Sequence, residues 1–413
     1  MKGAILGVSI VAGLVLLAAA AQASAAQRFA SPTGTGTACT EASPCSLQTA
    51  VEDPAVMDGD EVIMAPGDYV ESDSLVANDA INIHGVAGQP RPRIFNSGVQ
   101  GLLMASFDFP SRIAHLELYH SGIGQGIGLI QGVVEDVFVR SSGQAACHGF
   151  GYGGTLRDSV CWGVGTDSLR CGCGGSGFDS TTRLLNDTLI ATGPTAVAIH
   201  AQPSGGAKIR YEGRNVIASG GFVDLLADAD ATSLATIELD YSNFDTSATS
   251  GAPGASAQQP GSASNQTGAP AFADAENGDF REAFGSPTID AGVDDGSLAT
   301  VDLDGATRVQ GATVDIGAYE HSDTDPPETA IVNGPKKKTK RRKAKFEFAA
   351  DEPGSSFQCK LDKADFAPCD AAETFKVKRK KHTLEVRAVD AAGNVDPTPA
   401  TDSWKVKKKR KKK

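Results

Sequence analysis

Val134-Glu135-Asp136-Val137 is one of six short phrases, each mixing apolar and polar residues, that recur along residues 113–244. Aligned on one central residue each, the phrases lie 21, 22, 29, 27 and 27 residues apart, and those central residues are His115, Asp136, Asp158, Asp187, Arg214 and Tyr241. A loose period of this size, built on short β-prone runs and glycine turns, is typical of a parallel β-solenoid. The repeat therefore predicts the architecture but identifies no reaction.

The sequence around the repeat extends this prediction. Ser46–Met57 carries apolar residues at helical spacing, which predicts a short amphipathic helix that caps the open end of the solenoid. At about 24 residues per coil, residues 60–320 would form about eleven coils, a rod on the order of 50 Å long. Residues 245–268 consist mainly of Ser, Ala, Gly, Pro, Gln and Thr, and this composition predicts a flexible loop.

The start of the chain has the pattern of an export signal. Lys2 supplies a charge, Ile5 to Ala21 form an apolar run, and small residues around Ala23 offer a cleavage site. We expect residues 1–26 to be a signal peptide and the mature protein to be secreted and cell-surface associated, without a transmembrane segment. A retained N-terminal anchor is the alternative.

Eight cysteines fit an oxidising, extracellular setting. Cys39 with Cys45 and Cys359 with Cys369 are close and isolated pairs, which predicts two local disulfides. The remaining four lack the Cys-x-x-Cys spacing of a zinc site, so we expect disulfides there too. Because Cys171 and Cys173 are too close for an unstrained bridge, each is expected to pair with one of Cys147 and Cys161.

Charge divides the chain near residue 322. Residues 1–321 carry 14 Lys and Arg against 36 Asp and Glu, whereas residues 322–413 carry 24 against 14. Such a break predicts a domain boundary and different partners for the two parts. We expect a solenoid domain with its cap at 27–321, a second domain at 322–406 and a lysine-rich tail at 407–413.

Two stretches near residue 300 resemble a known closing motif. Gly285-Ser286-Pro287-Thr288-Ile289-Asp290-Ala291-Gly292 and Val314-Asp315-Ile316-Gly317-Ala318-Tyr319-Glu320 resemble the end of secreted bacterial right-handed parallel β-helix proteins, often labelled with a choice-of-anchor domain. Pro44-Cys45-Ser46-Leu47 and Ala65-Pro66-Gly67-Asp68-Tyr69 resemble their opening. The resemblance implies an all-β, pectate-lyase-like right-handed parallel β-helix outside the cell. It implies no particular activity, since the group has none in common.

The second domain has the alternation of a small antiparallel sandwich. Ala344, Phe346 and Phe348 alternate with charged residues, and Leu384, Val386 and Ala388 do the same. Glu352-Pro353-Gly354-Ser355-Ser356-Phe357 and Val389-Asp390-Ala391-Ala392-Gly393-Asn394 resemble a bacterial immunoglobulin-like repeat. That resemblance implies a hairpin bridged by Cys359 and Cys369, in a module that serves as a spacer or an adhesive unit.

The phrases also contain the candidate catalytic residues. Asp136, Asp158 and Asp187, with His115, would stack on adjacent coils about 4.8 Å apart, and paired carboxylates near this separation can act on glycosidic bonds. The alternative is structural, because polar side chains at solenoid corners commonly bond the turn backbone. Asp302-Leu303-Asp304-Gly305 is only a fragment of a calcium loop, so a tight turn is expected. We expect neither a metal nor a cofactor.

Three lysine-rich runs suggest a polyanion-binding surface. The residues concerned are Lys336, Lys337, Lys338, Lys340, Arg341, Arg342, Lys378, Arg379, Lys380, Lys381, Lys408, Lys409 and Arg410. The 378–381 turn and the C-terminal tail are predicted to lie at the same end of the sandwich. No stacking aromatics interrupt the lysines, so sequence-specific nucleic-acid recognition is not expected.

These features lead to a non-catalytic interpretation. We expect a β-helix rod that docks onto an anionic envelope polymer or polysaccharide through its lysine-rich domain. The alternative is an enzyme, a polysaccharide lyase or glycoside hydrolase, with a groove along the coils near Asp136, Asp158 and Asp187.

Overall fold

The structure is a computed structural model that describes residues 25–104, 110–129, 131–149, 153–171, 178–262, 264–296, 298–324, 326–352, 354–390 and 392–407. The predicted signal peptide therefore lies almost entirely outside the described residues. Within these ranges, no helix has the length and apolar character needed to cross a bilayer.

Parallel strands and one helix build the larger unit. In chain order they are β1 (Gln27–Ala30), α1 (Leu47–Glu52), β2 (Glu61–Met64), β3 (Asp68–Glu71), β4 (Leu75–Ala77), β5 (Asn82–Gly85), β6 (Arg93–Asn96), β7 (Leu102–Met104), β8 (Ser111–His120), β9 (Gln125–Leu129), β10 (Gly132–Ser141), β11 (Ala145–His148), β12 (Gly154–Arg157), β13 (Val160–Val164), β14 (Asp167–Cys171), β15 (Asp179–Leu185), β16 (Thr188–Thr192), β17 (Val197–Ala201), β18 (Lys208–Arg214), β19 (Ile217–Gly220), β20 (Val223–Ala229), β21 (Leu234–Asp240), β22 (Ser247–Gly251) and β23 (Ala255–Ala257).

These strands form a parallel β-solenoid with three faces. Face 1 runs in the order β1-β2-β5-β8-β10-β12-β15-β18-β21-β23. Face 3 runs in the order β4-β7-β9-β11-β14-β17-β20-β22. Face 2 contains β3, β6, β13, β16 and β19, together with the second halves of the long strands β8 and β10. Aliphatic residues at equivalent positions stack inside; Ile83, Ile113, Val134 and Leu156 form one such column. The predicted parallel solenoid is thus confirmed.

A cap covers the N-terminal end of the solenoid. Helix α1 buries Leu47, Ala50 and Val51, and the Ser46 hydroxyl accepts a hydrogen bond from the Thr49 backbone N–H at 3.1 Å. The helix is shorter than the predicted Ser46–Met57 because Pro54 disfavours helical backbone at the preceding residue, Asp53, which is extended. Helix α1 and the edge strand β1 thereby cover the end of the solenoid, where unpaired backbone and core side chains would otherwise be exposed.

The C-terminal end of the solenoid differs from the prediction in two ways. Residues 245–268 were expected to form a flexible loop, but β22 pairs with β20 and β23 pairs with β21. Small residues suffice in this last coil because its bonds come from the backbone and from Asn265, whose side chain donates to the Leu239 carbonyl at 2.7 Å. The estimate of about eleven coils over residues 60–320 is wrong, because the chain leaves the coil path after this point.

Residues 272–321, the closing segment, fold back over the outside of face 2. The segment starts with an antiparallel pair, β24 (Phe272–Asp274) and β25 (Asp279–Glu282), with a single 3-10 turn between them. Phe280, Leu303 and Ile316 of the segment join Val160, Trp162, Ile190 and Ile217 of face 2 in a second apolar core. Gly317 has φ +119°, and a Cβ there would lie 2.8 Å from the Ile217 Cδ1, so glycine permits this close approach.

The smaller unit has two sheets around a separate core. Its strands are β26 (Thr329–Asn333), β27 (Lys338–Thr339), β28 (Lys343–Ala350), β29 (Ser356–Leu361), β30 (Ala367–Cys369), β31 (Ala372–Lys376), β32 (Lys381–Val389) and β33 (Ala400–Val406). The sheets run β26-β28-β31 and β27-β33-β32-β29-β30, and all pairs except β27 with β33 are antiparallel. Phe346, Leu384, Val386 and Trp404 are fully buried between them.

Three disulfides join described cysteines. Cys39–Cys45 and Cys359–Cys369 are the two predicted local bridges. The expectation that Cys171 and Cys173 pair with Cys147 and Cys161 is wrong, because Cys147 and Cys161 bridge each other, with their Cα atoms 6.0 Å apart. Both side chains point into the solenoid core from different faces, which brings them together. Cys171 is also disulfide-bonded, and Cys173 lies outside the described residues.

Candidate functional site

The bend between face 1 and face 2 is made by one left-handed residue in each of six coils. These residues, the corner column, are His115, Asp136, Asp158, Asn186, Asn215 and Tyr241, with φ between 46° and 56°. Asn, Asp and His tolerate this conformation better than other non-glycine residues, which explains most of their identities. Side chains in neighbouring coils are bonded to each other: Asn215 donates to Asn186 at 2.9 Å, and Asn186 donates to Asp158 at 3.1 Å.

The predicted alignment of the column is therefore off by one residue at two coils. Asn186 and Asn215 occupy the corner where Asp187 and Arg214 were expected. Asp187 points inward instead, is 0 % exposed, and accepts hydrogen bonds from the backbone N–H groups of Ser159 and Leu185. Burial, reinforced by the nearby Asp158, raises the pKa of Asp187 well above its usual range. These contacts favour the structural alternative for this carboxyl.

Asp136 and Asp158 line one groove beside the corner. This corner groove has a volume of about 360 Å³, and His115, Arg112 and Glu135 also line it. The Asp136 Oδ2 lies 2.6 Å from the His115 Nδ1, and Arg91 contacts the other oxygen. This hydrogen bond raises the pKa of His115. Asp158 is only 4 % exposed, and its burial raises its pKa. The structure thus places two of the three candidate carboxylates in one groove, whereas the third, Asp187, lies near Asp158 but points into the interior.

Arg308 of the closing segment holds the segment against the corner column. Its guanidinium, 2 % exposed, lies 3.7 Å from Asp158 and 3.6 Å from Glu320, and it donates to the carbonyls of Gly317 and Ala318. Burial, with the Asp315 charge next, raises the pKa of Glu320 to about 9. Nearby, Asp302 Oδ1 accepts from the backbone N–H groups of residues 304 and 306, in the tight turn that was expected there.

A second groove lies on face 2 and was not foreseen from the sequence. This aromatic groove, of about 420 Å³, is lined by Arg91, Glu117, Tyr119, Phe138, Arg140, Trp162, Glu276, Asn277, Gly278, Arg281, Leu303, Asp304 and Tyr319. Tyr119 stacks on Phe95 with ring centroids 5.0 Å apart, and the Arg140 guanidinium lies 4.8 Å from the Trp162 ring centroid. Among the described residues Arg140 has no carboxylate partner, and its guanidinium faces the Trp162 ring.

The sequence indicates this groove through the spacing of its residues from the corner column. Tyr119, Arg140 and Trp162 each lie four residues after a corner residue and pair in neighbouring coils. They therefore form a column of large flat groups along the outside of face 2. The alignment on His115, Asp136 and Asp158 already gives these three residues equivalent positions, so the column could have been found from the sequence.

The lysine-rich runs meet at one end of the smaller unit. Backbone hydrogen bonds run from Lys405 to Lys337, from Val406 to Lys380, and from Val377 to Arg342, at 2.8–2.9 Å. We call this the basic end: residues 336–343, 376–381 and 405–407, with 14 exposed Lys or Arg side chains. In the described part of the chain, two carboxylates pair with it, Asp402 with Lys337 and Asp362 with Lys380. Lys408, Lys409 and Arg410 lie outside the described residues.

Comparison with known proteins gives a likeness in structure but no match in sequence. No family model matches the chain, and no curated protein matches it. Among solved structures, the crystal structure of the pectate lyase Pel9A is similar, with 12% sequence identity and a TM-score of 0.37. The superposition covers 72% of this chain and 97% of that chain. The fold assignment above comes from the strand ladders of this chain itself.

Proposed function

We propose that this protein is a secreted, non-catalytic surface or matrix protein that docks onto an anionic envelope polymer or polysaccharide through its basic end. The observation that carries the proposal is the convergence of three lysine-rich runs, distant in sequence, on one end of the smaller unit. Its disulfides fit an oxidising extracellular location. The smaller unit would then be an immunoglobulin-like module, and the solenoid the rod that it anchors.

The electrostatics of the basic end support binding of a polyanion. Fourteen cationic side chains face solvent against two paired carboxylates, so the end carries a concentrated positive charge. Binding that depends on such charge releases counterions and weakens steeply with salt. The solenoid and its cap, in contrast, are acidic, so a polyanion would contact the chain at this end and be repelled elsewhere.

A charge-matched pair of variants tests this proposal. Lys378→Gln with Arg379→Gln removes two charges from the basic end, and Lys208→Gln with Arg210→Gln removes two exposed charges from face 1 of the solenoid. We expect the first variant to bind polygalacturonate about threefold or more weakly at 50 mM NaCl, and the second to bind as the parent chain does. Equal affinities for the two variants would refute the docking role. Deletion of residues 408–413 is the matching test for the tail, because Lys405 and Val406 belong to β33 and must stay.

A second candidate function, glycan binding or cleavage along the solenoid, is favoured by the aromatic groove. The Tyr119 ring offers a face to the C–H faces of sugar rings, and Arg140 offers a cation to a uronate. Tyr119→Ala and Arg140→Gln should each weaken binding of oligogalacturonate, measured by Trp162 fluorescence. Phe222→Ala, at an exposed phenylalanine outside the groove, is the control. Binding unaffected by either groove variant would remove this candidate.

The enzyme alternative is tested at the corner groove. The parent chain and Asp158→Asn are incubated with neutral and acidic polysaccharides, and new reducing ends and unsaturated products are assayed. Asparagine keeps the left-handed conformation and can still accept the bond from Asn186, so the variant is expected to fold. Product formed by the parent and lost in this variant would establish an enzyme with Asp158 in its site. No product from either chain supports the non-catalytic proposal.

A further inference from the structure

A groove between the two units is lined by acidic side chains. This junction groove, of about 370 Å³, lies between the closing segment, the linker after residue 321 and the loops of the smaller unit. Its described lining includes no Lys or Arg, but it does include five carboxylates: Asp290, Asp315, Asp323, Glu352 and Asp390. Because like charges at short range repel, such a lining, whose one basic side chain among the described residues is His321, favours a bound cation.

Three of these carboxylates converge on one point. One oxygen each from Asp323, Glu352 and Asp390 lie within 4.8 Å of one another. The three residues come from different segments: the linker, the turn after β28 and the loop after β32. Two oxygens that ligate one Ca²⁺ at about 2.4 Å are at most about 4.8 Å apart, so this spacing fits a shared ion.

Asp390 supplies an independent sign that a ligand belongs there. Its side chain is 9 % exposed, and its Oδ1 accepts a hydrogen bond from the Asn394 backbone N–H at 2.8 Å. Its Oδ2 is buried and has no hydrogen-bond partner among the residues that the structure describes. A buried anionic oxygen without a partner is costly, and a cation in the groove would satisfy it.

The same loop already holds the linker. The Asn394 side chain donates to the Asp323 carbonyl at 2.8 Å, which places the Asp323 carboxylate beside the loop of the smaller unit. A cation bound by all three carboxylates would therefore join the linker to two loops of that unit. Oxygen ligands alone, without His or Cys, select a hard cation.

We propose that Asp323, Glu352 and Asp390 form a Ca²⁺ site that fixes the linker between the solenoid and the smaller unit. The site depends neither on the polymer that the basic end binds nor on catalysis by the solenoid. In the absence of Ca²⁺ the Asn394 bond would still hold the linker beside the loop, and the ion would add a second, charge-based link. Binding would make the linker less accessible to proteases.

The test is a calorimetric titration of the full chain with CaCl₂ after removal of divalent ions with EDTA. We expect one ion to bind with a dissociation constant of about 10⁻⁴–10⁻³ M, the range of extracellular calcium modules. Asp390→Asn should weaken this binding about tenfold or more, whereas Asp370→Asn, at an exposed acid of the same unit, should leave it unchanged. Saturating Ca²⁺ should also slow cleavage of the parent chain within residues 321–328.

Two results would overturn the proposal. One is no binding by the parent chain at up to 10 mM CaCl₂, an outcome that does not depend on any variant. The other is a dissociation constant for Asp390→Asn within twofold of the parent value. Asparagine can still accept the Asn394 bond, so the variant is expected to fold, and the near-ultraviolet circular dichroism of the buried Trp404 checks this. Glu352→Gln is the second variant, and it should weaken binding in the same way.

Discussion

Replacing Arg308 with glutamine should loosen the closing segment while the coils stay intact. The guanidinium donates to two buried carbonyls, those of Gly317 at 2.6 Å and Ala318 at 3.1 Å. A hydrogen bond from a charged donor contributes about 1.5–3 kcal/mol, and a glutamine amide can retain one neutral bond worth about 1 kcal/mol. The substitution also leaves buried Asp158 without its cation. Because burial already raises the pKa of Asp158, protonation limits that cost, and we expect a net loss of about 3 kcal/mol.

The two tryptophans of the chain allow the closing segment to be observed separately. Trp162 lies beneath the segment, in edge contact with Phe280, and Trp404 is in the core of the smaller unit. In a Trp404→Phe background, urea unfolding followed by fluorescence therefore reports the segment and face 2. With a urea slope of about 1–3 kcal/mol/M, a loss of about 3 kcal/mol lowers the midpoint by about 1 M or more. Arg210→Gln, at a partly exposed arginine of face 1, is the control.

A double variant measures the ion pair between Arg308 and Asp158 separately from the hydrogen bonds that Arg308 donates to the two carbonyls. Asp158→Asn removes the buried acid, so Arg308→Gln should cost less in that background than in the parent chain. A midpoint shift below about 0.3 M for Arg308→Gln, or a shift equal to that of Arg210→Gln, would refute the view that this residue fixes the segment.

Three further predictions concern the closing segment and the corner. The folded pKa of Glu320 is raised to about 9, so the folded chain binds a proton that the unfolded chain releases, and this group should lower the free energy of unfolding by up to about 1.4 kcal/mol per pH unit between about pH 5 and 9. Glu320→Gln should reduce the slope in urea titrations by that amount, and the buried acids Asp187 and Glu282, whose pKa values are also raised, should keep part of it. Asn215→Ala should lower the free energy of unfolding by about 2–3 kcal/mol in thermal unfolding, because alanine loses both hydrogen bonds to the Val293 backbone and is strained in the left-handed conformation. Asn215→Gly should lower it less, because glycine adopts that conformation without strain. Gly317→Ala should expose Trp162 to acrylamide quenching, because a Cβ would lie 2.8 Å from Ile217 at positive φ, whereas Gly354→Ala, with open space around it, should not.

The repeat predicted the solenoid because strand pairing in register imposes a period on the sequence. It did not predict the corner register, since Asn and Asp tolerate the left-handed conformation equally and the pair Asn186-Asp187 offers both. Aligning that coil on Asp187 shifted it by one residue. As a result, a carboxyl that points into the interior was predicted to lie on the surface. The backbone angle, which no apolar pattern encodes, decides which of the two residues faces out.

The path after residue 268 could not be predicted for a different reason. Its apolar residues, such as Phe280 and Ile316, fit either another coil or a segment packed on the outside of an existing one. The deciding feature is on face 2, where Trp162 and Ile190 present apolar side chains outward. The junction carboxylates could not be predicted either, because residues 323, 352 and 390 meet only once the smaller unit has folded and the linker lies against it.

The closing segment also determines how the two units are joined. A single covalent connection, the linker after residue 321, leads from it to the smaller unit, so any force applied at the basic end enters the solenoid through this segment. The segment is held by Arg308 at the corner column, by apolar packing on face 2 and by Asn215, whose side chain exchanges two hydrogen bonds with the Val293 backbone at 2.9 Å. None of these contacts involves the ladder bonds that hold the coils together. Conditions that weaken them, high pH at Glu320 or loss of Arg308, should therefore free the smaller unit from the rod before the rod itself unfolds.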